Sequence, residues 1–454
     1  MSTLWAKQAL TADGWQKSVR IDIGLDGKIA ALTPNHAATG TRFDLALPAI
    51  GNLHSHAFQR AMAGLTEKRG ANAQDSFWTW RKLMYDFLGL LTPDDIQAIA
   101  AYVQMEMLRA GYGAVAEFHY LHNAVDGAKY ANPAELSHRI WAAREQSGIG
   151  LTHLPVLYMQ GGCDGRDLAG GQLRFRNDFN SFQRLVEANI PHLKSAPPDS
   201  NLGVAPHSLR AVPKDILDDL AQLRPDSPIH IHIAEQQAEV VEVVAYLGAR
   251  PVEWLLSIHP VDARWCLIHA TQMTPQETIG MARCGAIAGL CPITESNLGD
   301  GIFDGVRFQA EGGRFGIGSD SNVRIALTEE LRVLDHSQRL RDHSRAALAT
   351  DAKSAGRMLF EGAASGGARA LGRGHGHLAV GDWADIAGLT TDHADLDGLE
   401  GDTLLDAWIF ARDDNIVRDV WSAGRHVVKD GAHIRQGEIT AAYRSCVKSL
   451  RARL

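Results

Sequence analysis

Cysteine is scarce in this chain. Five thiols in 454 residues, Cys163, Cys266, Cys284, Cys291 and Cys446, stand far apart, and no CxxC pair occurs. A disulfide frame is thereby excluded, and free thiols in a reducing compartment are expected. Long apolar runs are missing too: nothing reaches the roughly 18 residues of a membrane-crossing helix. The N-terminal "MSTLWAKQALTADGWQ" has no apolar h-region and no cleavage site, so it does not read as a signal peptide, and a cytoplasmic location is expected. Nor is there an excess of positive charge. Lys and Arg number 45 against 53 Asp and Glu, a net charge of -8, which favours neither nucleic acid nor an anionic membrane as a partner.

What is present is enough apolar sequence for a substantial core, 45% of residues against 22% charged. The first stretch, "VRIDIGLDGKIAALTP", alternates, turns at Asp-Gly and alternates again, the mark of a hairpin. Near the other end "GDWADIAGLTTD", "LDAWIFAR" and "NIVRDVWSAGRHVVKDG" read the same way. Between them, eight short apolar runs alternate with helical periodicity: "LALPAIGNLHSH", "GAVAEFHY", "GLTHLPVLYM", "LGVAPHS", "PIHIHIAE", "RWCLIHA", "GAIAGLCP" and "GRFGIGSDS". The fold class expected is therefore α/β: a (β/α)₈ TIM-like barrel with a small β-sandwich domain built from both termini. Residues 1–46 form the N-terminal part of the small domain, 47–370 the barrel, and 371–454 the C-terminal part plus a tail helix. Long connections at 57–93 and 158–201 follow the first and third strands and are candidates to cover the open face.

Side chains two apart on a strand share a face, so His54 and His56 can both point to the barrel axis at the end of strand 1. Alone, such a pair is as compatible with packed or surface histidines as with a metal site, since the chain has 20 histidines. Other strand ends carry matching chemistry: His232 with Glu235 beyond it on strand 5, His269 on strand 6, Asp320 on strand 8. His230 lies one layer deeper and reads as a core histidine. Glu117 reads as structural, and His119 and His122 as loop residues able to contact substrate.

This constellation resembles the amidohydrolase superfamily, as does the "GHLAVGDWADIAGL" return to the small domain. The segments "HSHAFQRAMAGLTE", "SFWTWR", "EFHYLH", "APHSLRAV" and "HIHIAEQ" resemble, within it, the one-metal deaminase branch and the formimidoylglutamate deiminases in particular. The resemblance implies one Zn²⁺ per chain held by His54, His56, His232 and Asp320, although Fe²⁺ or another divalent metal would suit the same donors. It also implies Glu235, His269 and Asp320 as the catalytic groups, with Gln59, Arg81, Tyr120, His207 and Arg210 as substrate contacts. The implied partner is a small acidic amidine and the implied assembly a homodimer. Deamination of a heteroaromatic base or an adenosine derivative, a catalytically dead scaffold, and release of formamide instead of ammonia remain open.

Overall fold

A computed structural model of the chain describes residues 2–67 and 77–453, with backbone alone for 77–82 and 414. Four strands open the chain: β1 (Ser2–Thr11), β2 (Gly14–Ile23), β3 (Ile29–Thr33) and β4 (Thr41–Pro48). The barrel strands follow, β5 (Ile50–Ser55), β6 (Tyr112–His119), β7 (Gly150–Leu157), the short pair β8 (Asn201–Leu202) and β9 (Ala205–Pro206), β10 (Ile229–Ile233), β11 (Trp265–His269), β12 (Ile287–Leu290) and β13 (Arg314–Ile317). Last come β14 (Ile386–Leu389), β15 (Val417–Ser422), β16 (Arg425–Lys429) and β17 (Ala432–His433).

Counting β8 and β9 as one interrupted strand gives the eight strands expected. All pair in parallel, and isolated bridges Val204↔Ile229 and Ser55↔Asp320 join the two halves, so the barrel is closed. β5, β6, β7 and β10 are buried at every residue, as strands covered on both faces must be. Helices between them carry the stop and start signals of their sequence. Thr92 caps the helix Pro93–Arg109 in a capping box with Asp95, with proline in the first turn, where its missing N–H costs nothing.

The two chain ends meet in one eight-stranded sheet of order β17-β16-β15-β14-β4-β1-β2-β3. β4 runs parallel to β1 on one side and antiparallel to β14, some 340 residues later, on the other. Arg373 and Arg425, from the C-terminal stretch, converge on the buried carboxylate of Asp199, and Arg373 also grips Asp385. These ion pairs tie the sheet to the connection entering β8.

Behind β6 and β7 lies a cluster of buried histidines. His122 Nε2 donates to Val156 O at 2.9 Å, and His153 pairs with Ser137 at 2.9 Å. Burial holds the His122 pKa down at about 4 and that of His153 at about 3. Both stay neutral when folded but take up a proton near pH 6.5 when unfolded. Their contribution to stability is complete above pH 6.5 and declines as pH falls below it, by about 1.4 kcal/mol per pH unit for each. The urea midpoint of the chain is expected to drop steeply between pH 6.5 and 4, and less steeply in a His153→Leu variant. An unchanged slope in that variant would contradict the assignment.

Candidate active site

The open rim of the barrel is formed where strands end abruptly. His269 (φ 69°), Ala270 (φ 51°), Ala234 (φ 50°) and Asp320 (φ 45°) all adopt the left-handed region that non-glycine residues avoid. Neighbouring main chain over-determines them: His56 N donates to Asp320 O at 2.8 Å, Asp320 N to His54 O at 2.9 Å, and Ala270 N to Ile233 O at 3.1 Å. Such conformations persist where the surroundings enforce them, and they cluster at functional sites.

His54, His56 and His232 turn their Nε2 atoms toward one another. The separations are 3.1 Å for His54–His56, 3.0 Å for His54–His232 and 3.3 Å for His56–His232. Asp320 Oδ1 lies 3.2 Å from His56 Nε2 and 3.4 Å from His54 Nε2. The far nitrogens of two rings face main-chain carbonyls, His56 Nδ1 to Phe118 O at 2.9 Å and His232 Nδ1 to His207 O at 3.1 Å. A carbonyl only accepts, so Nδ1 carries the proton and Nε2 presents a lone pair inward. Burial, together with the neighbouring rings, depresses all three pKa values and keeps the imidazoles neutral. Lone pairs and a carboxylate oxygen facing each other at these distances repel unless a cation lies between them. A tetrahedron with bonds of about 2.0–2.1 Å has edges of about 3.3–3.4 Å, so the donor set fits such an ion in kind and in spacing.

Glycine makes this approach possible. A Cβ on Gly318 would stand 2.7 Å from His54 N and 2.8 Å from His54 Cβ, inside contact distance. Below, Glu117 braces the strand: it accepts from Ser55 Oγ at 2.7 Å and from Ala57 N at 2.8 Å, the structural part expected of it. His230 bonds to Ala370 O at 2.8 Å, one layer down, as a core histidine should.

Glu235 sits on the turn after β10. The buried Glu239 carboxylate holds that turn by accepting from Ala234 N and Glu235 N at 3.1 and 3.0 Å. Burial raises the Glu235 pKa, against the attraction of His269 and with the help of Glu239. His269 Nε2 stands 4.0 Å from Glu235 Oε1, and its Nδ1 lies 3.2 Å from Glu295 Oε1. Burial alone would lower the His269 pKa, but the surrounding carboxylates of Glu235, Glu295 and Asp320 push it up to about 10.

A cavity opens onto this cluster. Its wall includes His56, His232, Asp320, Glu235 and His269, and four of the five expected substrate contacts, Gln59, Tyr120, His207 and Arg210. Gln59 Nε2 donates to Tyr120 Oη at 2.8 Å. The His207 ring lies 4.9 Å from that of His232. Arg210 Nε is buried and meets no acceptor among the described residues. Arg81 falls on the helix Phe77–Leu88, but its side chain lies outside the described residues.

Two expectations need correction. His119 ends β6 and is fully buried against His122 and His153, and neither His119 nor His122 lines the cavity, because their rings point outward from the barrel into the helical layer. Missing from the sequence reading were Glu295 and the wall residues Met84, Tyr85, Tyr158, Phe175 and Leu298. Tyrosine, methionine and phenylalanine in long connections carry no signal that distinguishes them from core. Glu295 follows no local pattern, since it reaches His269 only through the barrel's curvature.

Comparison with known proteins bears on the same region. Residues 45–427 match the amidohydrolase family, and residues 1–42 match the N-terminal domain of formimidoylglutamate deiminase HutF. A formimidoylglutamate deiminase of Pseudomonas aeruginosa is 49% identical over 98% of both chains. An 8-oxoguanine deaminase from the same organism is 25% identical over 85% of this chain and 86% of its own. Among solved structures, an amidohydrolase from Brucella melitensis superposes with a TM-score of 0.95 at 47% identity, covering 99% of this chain and all of its own. An adenosine deaminase from Xanthomonas campestris with bound zinc shares the fold, with a TM-score of 0.82 at 20% identity over 99% of this chain and 98% of its own.

Proposed function

Because the chain belongs to the amidohydrolase family, we propose that it hydrolyses N-formimino-L-glutamate to N-formyl-L-glutamate and ammonia, a step in histidine degradation. The observation that carries this reading beyond the family is the Arg210 guanidinium. It lies in the wall of the same cavity as the His/Asp/Glu cluster, with its Nε unspent among the described residues. A planar guanidinium suits a carboxylate, whereas a neutral heteroaromatic base offers it little.

What a divalent ion, zinc in this reading, supplies when held by His54, His56, His232 and Asp320 is a water whose pKa falls to about 7. Asp320 accepts a proton from that water, and His269, whose own proton the surrounding carboxylates hold in place, orients it; Glu295 steers the His269 ring through Nδ1. The water oxygen bonds to the formimino carbon, and Glu235 delivers a proton to the imino nitrogen. Glu235 then takes the remaining hydroxyl proton and passes it to the same nitrogen, which becomes an ammonium able to leave. The C–N bond breaks, ammonia departs, and the carbonyl of the formyl product forms. Gln59, Tyr120, His207 and Arg210 hold the two carboxylates and the amidine NH, a role that the resemblance also gives to Arg81. The working enzyme in this reading is a cytoplasmic homodimer.

Ammonia release from N-formimino-L-glutamate, guanine, cytosine and adenosine, with the product identified by NMR, tests the proposal. Turnover of the amidine to N-formyl-L-glutamate alone is expected; turnover of a base in its place, or formamide as product, would refute it. An Arg210→Met variant should raise KM about 10- to 100-fold, with a smaller change in kcat.

A further inference from the structure

Arg174 is a charged side chain only 1% exposed, and no carboxylate pairs with it among the described residues. Its guanidinium spends its donors on main-chain carbonyls instead. Nη1 bonds to Leu88 O and, at 3.1 Å, to Leu91 O, and Nε bonds to Asn123 O at 3.2 Å. Its own carbonyl accepts from His122 N at 2.9 Å and Asn123 N at 3.0 Å. Burying a guanidinium is costly, and burial pulls its pKa down, so the arrangement calls for a reason.

The three anchored segments answer the question. Leu88 ends the helix Phe77–Leu88, where unsatisfied carbonyls and the negative end of the helix dipole favour a cation. That helix gives Met84 and Tyr85 to the cavity wall. Asn123 follows Tyr120, another wall residue, and Arg174 itself precedes Phe175, a fourth. The Phe175 ring packs edge-on 4.8 Å from Tyr120 and tilted 5.5 Å from Tyr158 and 6.2 Å from Tyr85, measured between ring centroids. Gly171, three residues before Arg174, packs so closely that a Cβ there would lie 2.7 Å from the Tyr85 ring. One buried cation therefore fastens three connections, after β5, β6 and β7, to one another along the cavity wall.

We propose that Arg174 is a positioning residue for substrate binding: it sets the aromatic wall of the cavity, and so governs affinity for the substrate while leaving the chemical step largely alone. The inference rests on the reading of this cavity as the substrate site. The wild-type enzyme first establishes turnover of N-formimino-L-glutamate, so failure of that reading appears before any variant is made.

The test compares Arg174→Met, Arg174→Ala and Gly171→Ala with the wild type in kcat, KM, metal content and the inhibition constant of the product N-formyl-L-glutamate. Arg174→Met is expected to raise KM and the product inhibition constant together, by about ten-fold or more, with kcat within about three-fold and metal content unchanged. Guanidinium ion at millimolar concentration should restore part of the affinity in Arg174→Ala, because it can refill the vacated donor site, and do nothing for the wild type. Should the arginine variants fail to fold, Gly171→Ala, which displaces Tyr85 without touching the charge, must show the same KM-selective loss. Folded variants with unchanged KM, or a loss confined to kcat or to metal content, would overturn the proposal.

Discussion

Glu235→Gln is expected to keep its metal and lose turnover by a factor of about 10²–10⁴, the usual worth of general acid–base help. The side chain stands outside the histidine cluster, on a turn held by Glu239, so an isosteric amide leaves the donors where they are. What the amide cannot do is carry a proton twice. The wild-type carboxyl is suited to that task because burial raises its pKa and makes its protonated form accessible at neutral pH. The loss should fall on kcat, with KM within a few-fold, and elemental analysis should show the wild-type metal content. Undiminished turnover with metal bound would remove Glu235 from the mechanism. Loss of metal along with turnover would make it a structural residue instead.

Gly318→Ala should act from the opposite direction, emptying the site while every donor remains in the sequence. The added carbon would stand 2.7–2.8 Å from the backbone and Cβ of His54, so β13 and β5 must separate at the point where Asp320 bonds to the main chain of His54 and His56. Overpacking of this kind costs about 1–3 kcal/mol, and supporting residues around a metal are worth about 10- to 100-fold in its affinity. A titration of apoenzyme with Zn²⁺, read by activity and by bound metal, should shift by that factor. Gly437→Ala, where a Cβ meets only open space, serves as the matched control and should not shift. Equal affinities for the two variants would mean that the strand contact does not set the site.

These expectations show where sequence was informative. Strand alternation and strand ends carried His54, His56, His232 and Asp320 to one rim because a parallel barrel puts every strand's C-terminal end on the same face. Local spacing was therefore enough. Glu235 was legible by its offset from His232. The helix Pro93–Arg109 likewise starts where Thr92 and Pro93 supply local capping chemistry. Glu295 and Arg174 were not legible, because neither differs in type or spacing from a surface residue, and their partners lie 26 and 51 to 86 positions away. His119 and His122 misled for a related reason. A histidine near a strand end can face the axis or the helical layer, and only the register of β6 against β5 and β7 decides between them.

The sheet shared by the two ends of the chain has a consequence for biogenesis. On the ribosome β4 can join β1 early, yet its other edge has no neighbour until Ile386–Leu389 has left the exit tunnel. For most of synthesis a row of bare N–H and C=O groups is thus offered to any passing nascent strand. Expression trials that stop translation short of that point should yield inclusion bodies, and co-produced chaperones should help most during this interval.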